Sequence, residues 1–171
     1  MVHGMSINYL DMLLRSVANS LNQQLNQHQR NDVLMVGIHT GGVWVAKYLH
    51  QLLNLSQPLG QLEIAFYRDD FSRIGLHPHV KPSHLPLEVN DRHIVLVDDV
   101  LHTGRTIRAA LNELFDYGRP ASVTLVVLIE RNGRELPIQP DVIGCSLYLE
   151  PGQHVKLCGP EPLSLEIRTL A

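Results

Sequence analysis

The stretch IVLVDDVLHTGRT, residues 94–106, decides most of what this chain can fold into. Its first half is a continuous apolar run, the mark of a strand buried on both faces. Its end runs into residues 106–117, which read as a helix. Between the two lie a pair of carboxylates, Asp98 and Asp99, and the turn Thr103, Gly104, Arg105, Thr106. Where a strand hands over to a helix, free backbone N–H groups and the positive end of the helix dipole meet at one point, and that point attracts phosphate. Gly104 lets the backbone approach closely, and the threonine hydroxyls add donors. This is neither the Gly-x-x-x-x-Gly-Lys phosphate loop nor the Gly-x-Gly-x-x-Gly dinucleotide turn.

The two carboxylates cannot bind the same phosphate. They need a partner with donors or positive charge. A ribose offers two hydroxyls, a sugar carbon that becomes cationic in a transition state also favours carboxylates, and a magnesium ion carried by a polyphosphate is a third claimant. A sugar with a phosphate at one end and a departing polyphosphate at the other satisfies all three. A lone Asp-Asp pair would read as a surface turn with Thr103 as a helix cap. The ordered run of strand, carboxylates, glycine turn and helix is far more specific.

The rest of the chain supplies the frame. Residues 6–27 carry apolar positions at helical spacing. Residues 33–38, VLMVGI, read as a buried strand ended by Thr40, Gly41 and Gly42, with a helix over 43–53. Further strands are expected at 61–67, 93–97, 122–129 and 141–147. The segment 68–90 holds Pro78, Pro82 and Pro86, so it cannot be a long helix. The tail from 150, with Pro151, Pro160 and Pro162, reads as mostly irregular with one late strand. Strands alternating with helices predict an α/β fold with a mainly parallel sheet covered on both faces. Ligands bind such sheets at the carboxyl ends of the strands. The polar turns at 40–42, 98–106 and 130–135 all fall there.

Composition narrows the classes. The chain has 171 residues, 44% hydrophobic, which suits a single domain over 1–171. No apolar run reaches the roughly 20 residues of a membrane helix, so no membrane association is expected. The N-terminus lacks the basic region and apolar core of a signal peptide. Cys145 and Cys158 read as free thiols in a reducing cytoplasm. With 14 Lys and Arg against 17 Asp and Glu, the net charge of −3 excludes a strongly basic nucleic-acid binder and leaves room only for a small basic patch.

Residues 94–106 resemble the phosphoribosyl-pyrophosphate signature of the type I phosphoribosyltransferases. "YRDD" at 67–70 and "RELPI" at 134–138 narrow the resemblance to the PyrR family, pyrimidine-operon attenuation regulators that are also uracil phosphoribosyltransferases. Supporting stretches run from 33 to 144 in the family's order. The resemblance implies the type I fold with a small hood, formed by the N-terminal helix at about 6–29 and the tail at about 146–171. It implies that Asp98 and Asp99 are the catalytic carboxylates holding the ribose hydroxyls. Thr103, Gly104, Arg105 and Thr106 would cradle the 5′-phosphate, and Thr40, Gly41 and Gly42 the pyrophosphate. Arg68, Asp69 and Asp70 would begin a mobile loop, and Ile129, Glu130 and Arg131 would contact the base. Mg2+ would arrive mainly with phosphoribosyl pyrophosphate, near Asp98 and Asp99. The implied reaction converts uracil and phosphoribosyl pyrophosphate to UMP and pyrophosphate. An mRNA leader is the implied regulatory partner, and a homo-oligomer, dimer or higher, the implied assembly. The alternatives are a nucleotide-sensing regulator with little transferase activity, or a purine phosphoribosyltransferase.

The chain departs from the family pattern at several points. Gly41 replaces an arginine, His39 stands where lysine is common, His102 replaces a tyrosine, and Cys145 replaces a lysine. Gly41→Arg is therefore expected to tighten phosphoribosyl-pyrophosphate binding. Either Arg131 and Arg134 close on the pocket, or Arg134 and Glu135 form an internal ion pair that holds the turn. His77, His79 and His84 read as loop residues rather than a metal site.

Overall fold

The computed structural model describes residues 3–5, 7–30, 32–64 and 83–169. Eleven elements follow in order: β1 His3–Met5, α1 Ile7–Gln27, β2 Val33–Ile38, α2 Gly41–Leu52, β3 Gly60–Leu62, β4 His93–Leu101, α3 Arg105–Asp116, β5 Ser122–Arg131, β6 Val142–Leu147, β7 Gln153–Cys158 and β8 Ser164–Thr169. Five of the strands form one sheet in the order β3-β2-β4-β5-β6, parallel throughout. The apolar runs are buried on both faces because the side chains alternate between two cores. Val33 and Met35 of β2, Val95 and Val97 of β4, and Val126 and Leu128 of β5 pack with α1 and α2. Leu34, Val36, Ile94, Leu96, Leu125 and Val127 pack on the opposite side with α3.

Strand lengths place the site. β2 pairs with β4 only as far as Gly37 and Val97. β4 continues four residues further, held on its other side by β5 through Asp98↔Val127, Val100↔Ile129 and Leu101↔Glu130. Asp98 and Asp99 therefore belong to the strand, not to the turn after it, and they face the gap that β2 leaves. The strand expected over 61–67 is described only as β3; Glu63 and Ile64 follow outside a strand, and 65–67 lie beyond the described residues, as do Arg68, Asp69, Asp70, His77 and His79.

The tail corrects the expectation of an irregular segment. β7 and β8 form an antiparallel hairpin from Gln153↔Thr169 to Cys158↔Ser164, and β1 adds to β8 through His3↔Ile167. Pro160 and Pro162 occupy the connection, where no ladder donor is needed. This three-stranded sheet, in the order β1-β8-β7, is the hood. The long helix contributes differently than expected. Leu10, Leu14, Val17 and Leu21 of α1 are buried in the core under the large sheet, so α1 is a covering layer of the body and only the short strand before it enters the hood. The hood is fastened by Leu157 and Leu165, buried in that same core, and by Gly159, where an added Cβ would lie 3.1 Å from the Trp44 ring of α2.

Candidate active site

The carboxylates sit where two helices begin. Asp98 is 3% exposed and Asp99 is half-buried. The Asp99 N–H donates to Asp98 Oδ1 at 3.0 Å. The turn from β2 into α2 packs directly on them. A Cβ on Gly42 would lie 2.6 Å from the Val97 carbonyl oxygen, and one on Gly41 would lie 2.2 Å from Asp99 Oδ2. Glycine at 41 and 42 is thus what lets the N-terminus of α2 approach the carboxylates, and the positive end of that helix favours the negative charge of Asp99. His39, just before the turn, is tied sideways: its N–H donates to the Leu62 carbonyl at 2.9 Å, and its Nε2 lies 2.8 Å from Gln61 Oε1.

The second helix start is the expected phosphate cradle. Thr103 is buried, and its Oγ1 accepts the Arg105 N–H at 3.2 Å. Gly104 has φ +95°, a left-handed conformation that glycine adopts without strain, and α3 starts at the next residue. The carbonyl of Thr103 accepts N–H groups from Glu135 at 3.0 Å and Leu136 at 3.1 Å, which ties the cradle to the turn after β5.

That turn is braced by two ion pairs, neither of them between Arg134 and Glu135. Arg105 donates twice to Glu135 Oε2, at 2.9 and 2.6 Å, with both side chains about half exposed. Arg134 donates to Glu130 Oε1 at 2.5 Å and to the His102 carbonyl. Arg105 therefore reaches the cradle through its backbone rather than through a free guanidinium. The three residues expected to meet the base differ in access. Ile129 is fully buried in the core and offers no side chain to a ligand. Glu130 and Arg131 line a cavity of about 770 Å³ together with Asn132, Leu136, Ile138 and Tyr148. Arg131 donates from Nη1 to the Gln153 carbonyl of β7 at 3.1 Å, so it links the body to the hood. Its Nε–H is buried with no acceptor, and burial holds the guanidinium below its usual pKa.

Asp98 and Asp99 line a separate cleft of about 510 Å³, with Thr40, Gly41 and Thr106 on the body side. On the hood side it is lined by His154 and Lys156 of β7, and Trp44 also borders it. The structure thus joins the carboxylates, Thr40 and Gly41 of the turn expected to hold pyrophosphate, and Thr106 of the expected phosphate cradle in one cavity, and places Glu130 and Arg131 in the next. The three residues that the sequence reading missed are Trp44, His154 and Lys156. The alternation of "QHVKLC" was the available signal, in a stretch read as irregular. Among the described residues no group of three or more His, Cys, Asp or Glu could hold a metal ion. No helix there is long and apolar enough to cross a membrane, and both cysteines are free.

Comparison with known proteins gives the same direction. Residues 8–158 match the phosphoribosyl transferase domain family. The chain is 64% identical over 161 residues to the "Bifunctional protein PyrR" of Nitrosococcus oceani, covering 93% of this chain and 91% of that one. It is 57% identical over 159 residues to the protein of the same name from Pseudomonas syringae pv. tomato, covering 93% and 94%. Among solved structures, a hypoxanthine-guanine-xanthine phosphoribosyltransferase superposes with a TM-score of 0.62 at 19% identity, covering 86% of this chain and 79% of that one. A purine phosphoribosyltransferase from Pyrococcus horikoshii gives 0.60 at 23% identity, covering 84% of each. At those identities the two structures speak for the fold alone.

Proposed function

The chain belongs to the phosphoribosyltransferase family, among the PyrR proteins, and from that premise we propose that it transfers a phosphoribosyl group to uracil and that its UMP-bound form regulates pyrimidine genes through an mRNA leader. One observation carries the enzymatic reading. Asp98 and Asp99 stand where β4 runs on past its pairing with β2, between the starts of α2 and α3, so that two helix N-termini flank a carboxylate pair.

In this reading the start of α3, with Thr103 and Thr106, holds the 5′-phosphate. The turn at Thr40, Gly41 and Gly42 holds the pyrophosphate. The carboxylates take the ribose hydroxyls and face the sugar carbon C1′. The C1′–O bond breaks with its electron pair leaving on pyrophosphate, uracil N1 forms the new bond to C1′, and the N1 proton passes to solvent. Positive charge develops at C1′ on the way, and the carboxylates stabilise it more than they stabilise the substrate. The resemblance gives Arg68, Asp69 and Asp70, which lie outside the described residues, the task of keeping water from the cationic carbon. The base lies toward the cavity of Glu130 and Arg131, where the buried Arg131 Nε–H is a donor without an acceptor.

Magnesium fits the site as a cation brought by the substrate. Asp98 and Asp99 would hold it, and two carboxylates with substrate oxygens are the ligand set Mg2+ commonly takes. It supplies charge to the departing pyrophosphate. The protein acts in the cytoplasm as a homo-oligomer.

The test is incubation with labelled uracil, phosphoribosyl pyrophosphate and Mg2+, with hypoxanthine, guanine and orotate as rivals. UMP is the expected product. A purine nucleotide would move the base assignment. UMP binding without any transfer would leave the regulator alone.

A further inference from the structure

The cleft has an acidic floor. Asp98 and Asp99 lie in it, and its pyrophosphate turn carries no lysine or arginine. A diphosphate entering there needs a fixed positive charge besides whatever cation it brings. Among the described residues, the nearby candidates on the body are committed elsewhere. Position 41 cannot take a side chain while Asp99 stands as it does, since even a Cβ would lie 2.2 Å from Asp99 Oδ2. His39 is bonded to Gln61. Arg105 and Arg134 are paired with Glu135 and Glu130, and Arg131 reaches Gln153 in the neighbouring cavity. Lys47 lines a different cavity, between α1, α2 and the hairpin connection.

Lys156 is the exception. It lies on β7, borders the cleft across from Thr40, Gly41, Asp98 and Asp99, is exposed, and forms no ion pair with a described residue. Its cross-strand neighbour on β8 is Glu166. Glu166 feels the charge of Lys156, but its main partner is Arg168, which donates two bonds to Glu166 Oε2 at 2.9 and 2.6 Å. His154, two residues away on the same face of β7, borders the cleft beside it.

We propose that Lys156 is a pyrophosphate-binding residue: the hood strand, not the turn after β2, supplies the fixed cation for the leaving group. The inference deepens the proposed function and rests on its reading of the cleft as a phosphoribosyl-pyrophosphate site. It makes a specific division of labour. The turn contributes backbone N–H groups and the helix dipole, while Lys156 contributes charge from the opposite wall. UMP lacks the diphosphate, so Lys156 matters to substrate and leaving group and not to product.

The experiment measures binding of magnesium pyrophosphate by calorimetry to the wild-type protein, Lys156→Met and Lys156→Arg, with UMP as the second ligand. Losing one charge-assisted contact is expected to weaken pyrophosphate binding about tenfold in Lys156→Met. UMP binding should stay within about twofold, and Lys156→Arg should restore pyrophosphate affinity. The salt dependence of pyrophosphate binding should flatten in Lys156→Met. Thermal melting checks that each variant is folded. The proposal is overturned if Lys156→Met binds pyrophosphate as the wild type does, if UMP weakens equally, or if the wild type binds no pyrophosphate. The wild-type transfer assay with uracil separates the two readings. Failure there with a Lys156-dependent pyrophosphate site sinks the enzyme assignment and leaves this one standing. Transfer without Lys156 dependence does the reverse.

Discussion

The two sheets that face each other across the cleft differ in how their parts are spaced along the chain. On the body side each connection at the cleft is local: His39 and Thr40 join β2 to α2, and residues 102–104 join β4 to α3. The hood pairs residues 3–5 with residues 165–167. The central body strands β2, β4 and β5 are runs of mostly buried apolar residues, while the edge strand β6 is partly exposed. The hood strands are half-exposed: along β7, His154 and Lys156 are open while Leu157 is buried. What this teaches is a separation of tasks. The body fixes the reacting geometry through backbone that cannot move without unpacking two cores. The hood contributes side chains whose positions depend on a few anchoring contacts.

The comparison can be broken first at the body. Asp98→Asn and Asp99→Asn should each lower turnover by about 10²–10³, the range for removing one transition-state electrostatic contact. UMP affinity should change far less, because the carboxylates act most when the sugar carbon is positive. Steady-state kinetics beside UMP titration decides it; equal losses in both would mean that the carboxylates only anchor the ribose.

The hood is probed next by Leu165→Ala. Leu165 is 1% exposed and shares a core with α1, so the truncation should cost about 2–5 kcal/mol. If the hood is one cooperative unit with the body, the whole melting transition shifts. A lost pyrophosphate site with an unshifted main transition would show that the hood opens separately.

A smaller effect sharpens the boundary at Gly41. An arginine here was expected to strengthen the leaving-group site. The geometry attaches a condition to it, because a Cβ at position 41 would lie 2.2 Å from Asp99 Oδ2, so the Asp99 side chain must shift to admit any side chain there. Gly41→Ala, which adds only the Cβ, should already lower turnover on the order of tenfold to a hundredfold by misplacing a catalytic group. Unchanged turnover in Gly41→Ala would show that Asp99 can turn aside freely.

The mildest change lies outside the cleft, on the body's surface. Asp11 of α1 is held below the usual carboxylate range, first by its hydrogen bond from Arg15 and then by that from Tyr48 of α2. A depressed folded-state pKa stabilises the protein above the unfolded value and is lost as pH falls through the folded one. Asp11→Asn should therefore lower the melting temperature slightly at neutral pH, and the gap to the wild type should close in acid. Pyrophosphate binding should not follow it; if it did, the α1–α2 seam would be coupled to the cleft.

Much of the body was readable because strand burial and glycine turns are local signals. Val33 to Ile38 came out residue for residue, and of the Asp-Asp and Thr-Gly-Arg-Thr pattern Asp98, Asp99 and Thr106 line the cleft. The length of β4 was not readable, since only pairing with β5 carries a strand through two aspartates. Nor was the partner of Arg134, which local sequence placed beside Glu135 and the fold placed against Glu130. The hood escaped for a physical reason: short, proline-flanked, half-polar strands acquire their pattern only from a partner strand far away in the chain. Lys156 was hidden with it.

The pairing of residues 3–5 with 165–167 also orders events during synthesis. Of the described elements, β1 leaves the ribosome before the others and β8 after them. The body can fold, with both helix starts in place, while β1 still waits for β8 to emerge. A nascent chain halted after β6 would carry the aspartates and the cradle but no opposite wall, and so no Lys156.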